Sequence, residues 1–188
     1  MNLYLNIKER IRIRLYKRYS SKTVTVTGKP VLNQPLLIKG EGKVRFEPGV
    51  SIGYPLSQGY YNTYTYFDLR GSASMISVGE GVKLNNNTCL TADEASIHIG
   101  KNTVAGVNLS IQTSDGHCLS PAKRHQGNFP KYSVIIGENV FIGDNVIILK
   151  GVKIGRNSVI GAGSVVTHDI PENVMAAGNP CHEIRPLS

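Results

Sequence analysis

The sequence predicts an all-β fold: a parallel β-helix, in which short strands wind into triangular coils. Three observations carry that prediction. Ile136, Ile142, Ile148, Ile154, Ile160 and Val166 recur every six residues. Gly137, Gly143, Gly155 and Gly161 follow four of them, and Asn139, Asn145 and Asn157 stand at the third position after. Val140, Val146, Val152, Ser158 and Ser164, all small or β-branched, complete the unit at the fourth position. A six-residue period does not return to one stripe of an α-helix. It does suit a coil that turns one apolar residue inward on each face. Three units then close a coil of about 18 residues, and stacked coils share one core. Gly or Asn is expected at the turns, where positive φ is tolerated.

Taken in order, residues 1–22 form a basic N-terminal arm. Lys8, Arg10, Arg12, Arg14, Lys17, Arg18 and Lys22 outnumber Glu9 there, so the arm holds +6 of the chain's +8. Ile7, Ile11 and Leu15 recur every four residues, which predicts an amphipathic helix packed on the body by that face. The odd-numbered apolar positions also alternate as in a strand. Residues 23–188 are the repeat domain. Phe46 and Ile52 make an early pair at the six-residue spacing. A tyrosine-rich excursion spans Tyr54 to Ser74. Tyrosines among Asn, Ser and Thr can stack on sugar rings, or form a strand face or a subunit contact. The rhythm returns at Val78, Leu84 and Leu90, slips at "TADEAS", and resumes at Ile99, Ala105 and Ile111. Residues 117–133 are then expected as an extruded loop before the regular run begins at Ile136.

Composition excludes some classes. The basic charge is confined to the arm and not spread over a face with interleaved aromatics, which argues against a nucleic-acid-binding domain. No run of about 18 apolar residues predicts a membrane span, and no apolar leader predicts a signal peptide. The arm could still touch an anionic membrane surface. Cys89, Cys118 and Cys181 have no metal-type spacing and suit a reducing compartment, so a cytoplasmic location is expected.

The run "IGENVFIGDNVIILKGVKIGRNSVIGAGSVVTHDIPENVMAAGNP", with "AAGNPCHEIR" at its end, resembles the hexapeptide-repeat acyltransferases. It is most similar to the xenobiotic, galactoside and maltose O-acetyltransferase branch. The resemblance covers roughly Val78 to Arg185. It implies a left-handed coil, a homotrimer, acetyl-coenzyme A as donor and no metal. The handedness departs from the usual right-handed crossover and comes from the resemblance alone. By position in the family's motifs, His117 matches the catalytic histidine that follows a coil ending in "IxT". Asn85 matches the acceptor-binding asparagine, with Asn86 and Asn87 beside it as competitors. Phe141 takes the place of an aromatic residue, commonly tryptophan, beside acceptor and cofactor. Ala162, Thr167 and Arg185 match coenzyme A contacts, and His168 stands where a lysine is common.

These residue types fit acetyl transfer to a hydroxyl. A hydroxyl is a poor nucleophile near neutral pH, and a histidine can accept its proton as it attacks a thioester and then protonate the leaving thiolate. No acyl-enzyme is needed, although Cys118 neighbours His117. Asp115 is close enough in sequence to orient the histidine or meet the acceptor, and a backbone carbonyl could orient it equally well. The expected activity is therefore acetyl-coenzyme A-dependent O-acetylation of a carbohydrate hydroxyl in surface polysaccharide or lipopolysaccharide synthesis. A free sugar, an antibiotic or serine are the alternative acceptors. A zinc hydratase on the same solenoid would need three metal-bound histidines, and His98, His117 and His125 make a poor set. A non-catalytic scaffold is the other alternative.

Overall fold

A computed structural model describes residues 3–127 and 129–187. Among the described residues one α-helix, α1 (Leu3–Tyr19), precedes twenty strands. The first eighteen strands form six triangular coils of three strands each. They are β1 (Val24–Thr27), β2 (Val31–Leu32) and β3 (Leu36–Gly40), then β4 (Gly42–Phe46), β5 (Ser51–Ile52) and β6 (Thr65–Arg70). The third and fourth coils are β7 (Met75–Val78), β8 (Lys83–Leu84) and β9 (Cys89–Asp93), then β10 (Ser96–Ile99), β11 (Val104–Ala105) and β12 (Ser110–Gln112). The regular run supplies β13 (Val134–Ile136), β14 (Phe141–Ile142) and β15 (Ile147–Ile148), then β16 (Lys153–Ile154), β17 (Val159–Ile160) and β18 (Val165–Val166). Strands β19 (Val174–Gly178) and β20 (Cys181–Pro186) finish the chain.

The coils stack as three parallel sheets. Sheet A runs β1-β4-β7-β10-β13-β16, sheet B runs β2-β5-β8-β11-β14-β17-β19-β20, and sheet C runs β3-β6-β9-β12-β15-β18. The chain passes from A to B to C and back to A. The prism therefore has three edges, called AB, BC and CA below. Its winding is that of a left-handed parallel β-helix.

The core is three internal ladders, one per sheet. In sheet A, Phe46, Val78, Ile99, Ile136 and Ile154 lie in register. In sheet C the row is Ile38, Phe67, Leu90, Ile111, Ile148 and Val166. In sheet B, Ile52, Leu84, Ala105, Ile142, Ile160 and Ala176 align. All of these are buried. Full burial of one such side chain contributes about 1.5–3 kcal/mol.

The glycines of the repeat do a different task from the one expected. Asn139, Asn145 and Asn157 have φ of 55–58°, and Gly151 and Gly163 continue that column at φ 80° and 73°. The glycines after isoleucine are not in that region. A Cβ on Gly137 would lie 2.7 Å from the Arg156 amide nitrogen, so glycine is required by the close approach of the next coil.

Two excursions leave the prism on different edges. On edge BC, residues 53–64 form a loop between β5 and β6. The expected excursion from Tyr54 to Ser74 is thus too long, because Thr65–Arg70 is a strand with Thr65, Phe67 and Leu69 in the wall. On edge CA the extruded segment begins earlier and ends earlier than 117–133. Ser114 and Lys131 already pair as an antiparallel bridge at its base, and Pro121–Lys123 is one 3-10 turn within it.

Helix α1 packs against β3, but not by the expected face. Ile7, Ile11 and Leu15 point away from the chain, at 50%, 51% and 43% exposure. The inward face is instead led by polar groups, with half-buried Ile13 beside them. Glu9 is buried, and Arg12 bonds it at 2.8 Å while donating to the carbonyls of Thr63 and Tyr60 at 2.6 and 3.4 Å. The Tyr16 ring lies 4.9 Å from that of Tyr64. A guanidinium that satisfies two loop carbonyls and one carboxylate outweighs a few half-exposed aliphatic side chains. Beyond the helix, Ser20 and Ser21 cap the edge strand β3. The Ile38 amide donates to Ser20 Oγ at 3.0 Å and the Gly40 amide to Ser21 Oγ at 3.1 Å.

Candidate active site

The loop on edge CA is stapled at its base by a charged cluster. Asp93, the last residue of β9, and Glu94, which follows it, lie directly beneath the loop. Lys131 Nζ lies 2.6 Å from Glu94 Oε2 and 3.1 Å from Asp93 Oδ1. Ser114 Oγ donates to the other Asp93 oxygen at 2.9 Å, and the Asp93 amide donates to Thr113 Oγ1 at 2.8 Å. The hydrogen bonds to Glu94 and then Asp93 push the Lys131 ammonium above its ordinary 10.5, so it stays charged at physiological pH. Above the staple, the Tyr132 amide donates to the Thr113 carbonyl and the Gly151 amide to the Tyr132 carbonyl, which returns the chain to the wall.

His117 stands just outside this staple and is exposed. Asp115, two residues before it, is half-buried and engaged elsewhere. Lys150 Nζ donates to both of its carboxylate oxygens at 2.6 Å. Asp115 therefore anchors the loop to the corner after β15. Cys118 is half-buried beside it, and Lys123, Arg124 and His125 of the loop are exposed. The next corner up the same edge carries Thr167 and His168, both exposed. The His168 ring lies 5.3 Å from that of His182.

The asparagine run lies on edge BC, and its three members separate. Asn86 is fully buried. Its oxygen accepts from the Tyr54 amide at 3.0 Å, and its amide group reaches the carbonyls of Tyr54, Ser57 and Gln58 at 3.0–3.2 Å. It clamps the tyrosine loop. Asn87 turns the corner at φ 62° and donates to Asn108, which donates to Asn145 in turn. Asn85 remains half-buried at the surface, donating to Ser57 Oγ at 3.0 Å. Ala162 is exposed higher on edge BC. Phe141 is 53% exposed on the outer face of sheet B, in one row with Val104, Val159 and Met175. Arg185 lies on the outermost strand of that sheet, opposite Met175.

The expected site residues therefore fall into two groups. Asp115, His117, Thr167 and His168 share edge CA. Asn85 and Ala162 share edge BC, with Phe141 and Arg185 on sheet B. The five residues of β9 cross the face between the two edges, a distance of roughly 16 Å. Sequence reasoning missed Asp93, Ser114, Lys131 and Lys150. A signal for the first three existed: the phase slip at "TADEAS" and the long loop both interrupt the repeat after a sheet C strand, so both must emerge on one edge.

Comparison with known proteins agrees with this architecture. Residues 133–168 match the family described as bacterial transferase hexapeptide (six repeats). The chain is 42% identical over 115 residues to a galactoside O-acetyltransferase of Escherichia coli, covering 61% of this chain and 56% of that protein. It is 46% identical over 106 residues to the galactoside O-acetyltransferase of Lactococcus lactis, covering 56% of this chain and 50% of that protein. The chain thus spans about half the length of the curated relatives it matches. Among solved structures, a galactoside acetyltransferase in complex with coenzyme A superposes with a TM-score of 0.57 at 27% identity, over 100% of this chain and 84% of that one.

Proposed function

We propose that this chain is a hexapeptide-repeat transferase, an acetyl-coenzyme A-dependent O-acetyltransferase that works as a homotrimer on a carbohydrate hydroxyl; the match of residues 133–168 and the likeness to galactoside O-acetyltransferases support this. The observation that carries the proposal is the placing of His117. It stands outside a charge-stapled loop at edge CA, a full sheet face away from Asn85 on edge BC. A histidine and an asparagine that hold the same acceptor hydroxyl must then come from two chains. The outward apolar row Val104, Phe141, Val159 and Met175 supports an assembly that covers it, since such a row loses water only against another surface.

In this reaction the acceptor hydroxyl passes its proton to the His117 imidazole as its oxygen attacks the thioester carbonyl. The carbon–sulfur bond breaks, the proton passes from His117 to the coenzyme A thiolate, and the acetyl ester is released. Both substrates are present together, and no group on the protein is acetylated. Coenzyme A is placed by Ala162, Thr167, His168, Phe141 and Arg185, and the acceptor by Asn85 and Phe141. Asp115 serves the acceptor side and, through Lys150, holds the loop. A surface-polysaccharide or lipopolysaccharide precursor is the acceptor class we favour. It is supported by the loop that Asn86 clamps beside Asn85, where Tyr54 is exposed among Ser57, Gln58 and Asn62. The free cysteines support a reducing, cytoplasmic setting.

The test is an acetyl-transfer screen over sugars and oligosaccharides, read by thiol release. His117→Ala is expected to bind acetyl-coenzyme A normally and to lose at least about a hundredfold in turnover. Near wild-type turnover in that variant overturns the role of His117. Absence of transfer to every carbohydrate, with transfer to serine or an antibiotic, overturns the acceptor class.

A further inference from the structure

We propose that the outward face of α1 docks on an anionic lipid surface, with the helix lying along that surface. The inference stands on the helix and is independent of the transfer chemistry. Ile7, Ile11, Leu15 and Tyr19 follow one another at four-residue steps and are 50%, 51%, 43% and 60% exposed. At 1.5 Å per residue they make an apolar stripe of roughly 18 Å along one side of the helix. The stripe cannot be turned inward by rolling the helix, because the opposite side is fixed by Arg12 on the carbonyls of Thr63 and Tyr60 and by buried Glu9.

Charge decides what covers the stripe. Lys8, Arg10, Arg14, Lys17 and Arg18 are all exposed around it, while the one acid of the helix, Glu9, is buried and paired with Arg12. Among the described residues of the helix, the outward side therefore carries five cations and no anion. A second copy of the same face would meet it with five more cations. An anionic bilayer instead offers phosphates to the cations and acyl chains to the stripe, and long Arg and Lys side chains can reach headgroups while their stems stay apolar. Among the described residues no helix is long and apolar enough to cross a membrane, so the contact proposed is interfacial.

The experiment is co-sedimentation of the full chain with vesicles of phosphatidylcholine alone or with about one-third phosphatidylglycerol. Binding is expected only with the anionic lipid, and is expected to weaken about tenfold or more at high salt. Ile11→Asp with Leu15→Asp should abolish it, and Arg14→Glu with Arg18→Glu should abolish it independently. All four positions face outward, so circular dichroism and turnover on a soluble acceptor should be unchanged. Equal binding to neutral vesicles, or none to anionic ones, overturns the proposal. So does unchanged vesicle binding in the aspartate variant with a lower mass in solution, which would show that another copy covers the stripe. A failure of the transfer reading would instead appear as lost turnover with vesicle binding intact.

Discussion

Lys150 grips both carboxylate oxygens of Asp115 at 2.6 Å, and so ties the first turn of the His117 loop to the corner after β15. The pair is about one-fifth exposed on each side, so solvent screens it only in part. Lys150→Gln should cost about 1 kcal/mol of stability in urea denaturation. Its larger effect should be on position: a fall of about tenfold in turnover with little change in KM for acetyl-coenzyme A. Lys150→Arg should restore most of it. If Lys150→Gln turns over normally, the Lys131 staple alone positions the loop.

Asn85 and Asn86 should separate cleanly by substitution. Asn86→Ala removes the partners that the described residues give the Tyr54 amide and the Ser57 and Gln58 carbonyls, and one of the two at the Tyr54 carbonyl, in a site with no exposure. A loss of about 3 kcal/mol is expected on thermal or urea unfolding. Asn85→Ala breaks two half-buried contacts, to Ser57 Oγ and from the Asn86 amide, and should cost about 1 kcal/mol. Its effect should appear as a raised KM for the carbohydrate, measured by steady-state kinetics.

Phe141→Glu tests the assembly. A carboxylate in the middle of the sheet B row should disrupt a covered apolar face at little cost to the single chain, since Phe141 is already 53% exposed. Light scattering should move from three times the chain mass toward 20.4 kDa. Turnover should vanish with it, because His117 and Asn85 would no longer meet. A single-chain mass in the unaltered protein would remove the composite site.

Burial raises the Glu9 carboxyl above its ordinary 4.5, against the opposing pull of Arg12. A raised carboxyl pKa means the folded state holds the proton more tightly than the unfolded state. The favourable contribution is present below the unfolded pKa and is lost as pH rises through the shifted value. Glu9→Gln removes that dependence. Amide protection factors in α1 should therefore fall in the wild type relative to the variant as pH rises from about 4.5 toward neutrality.

How much of this was legible depended on how each element is specified. The coils from β13 to β18 could be read directly, since one isoleucine or valine per face must sit in the ladder and nothing else competes. The first two coils were nearly silent. Leu36, Ile38, Val44 and Phe46 enclose the same core, but without the asparagine column that marks a turn, and β6 was hidden among tyrosines. The orientation of α1 was misjudged for a tertiary reason: Arg12 finds its acceptors at Tyr60 and Thr63, far along the chain, where periodicity carries no information. In the site, His117 was visible because it breaks a rhythm. Lys150 was not, because it sits inside an unbroken one, and only the stacking of β15 on β12 brings it to Asp115.

The hydroxyls of Ser20 and Ser21 have a consequence beyond the helix they follow. A stack of parallel strands is open at its ends and can in principle recruit strands from other molecules without limit. Here the first strand of sheet C offers its Ile38 and Gly40 amides to those hydroxyls and its Ile38 carbonyl to the Ser21 amide. At the far end, β20 runs antiparallel to β19 and breaks the parallel pattern of sheet B. One outer strand of sheet C and one end of sheet B are thus closed to further parallel pairing. Alanine at both serines would leave unsatisfied amides on an edge strand and invite filament growth.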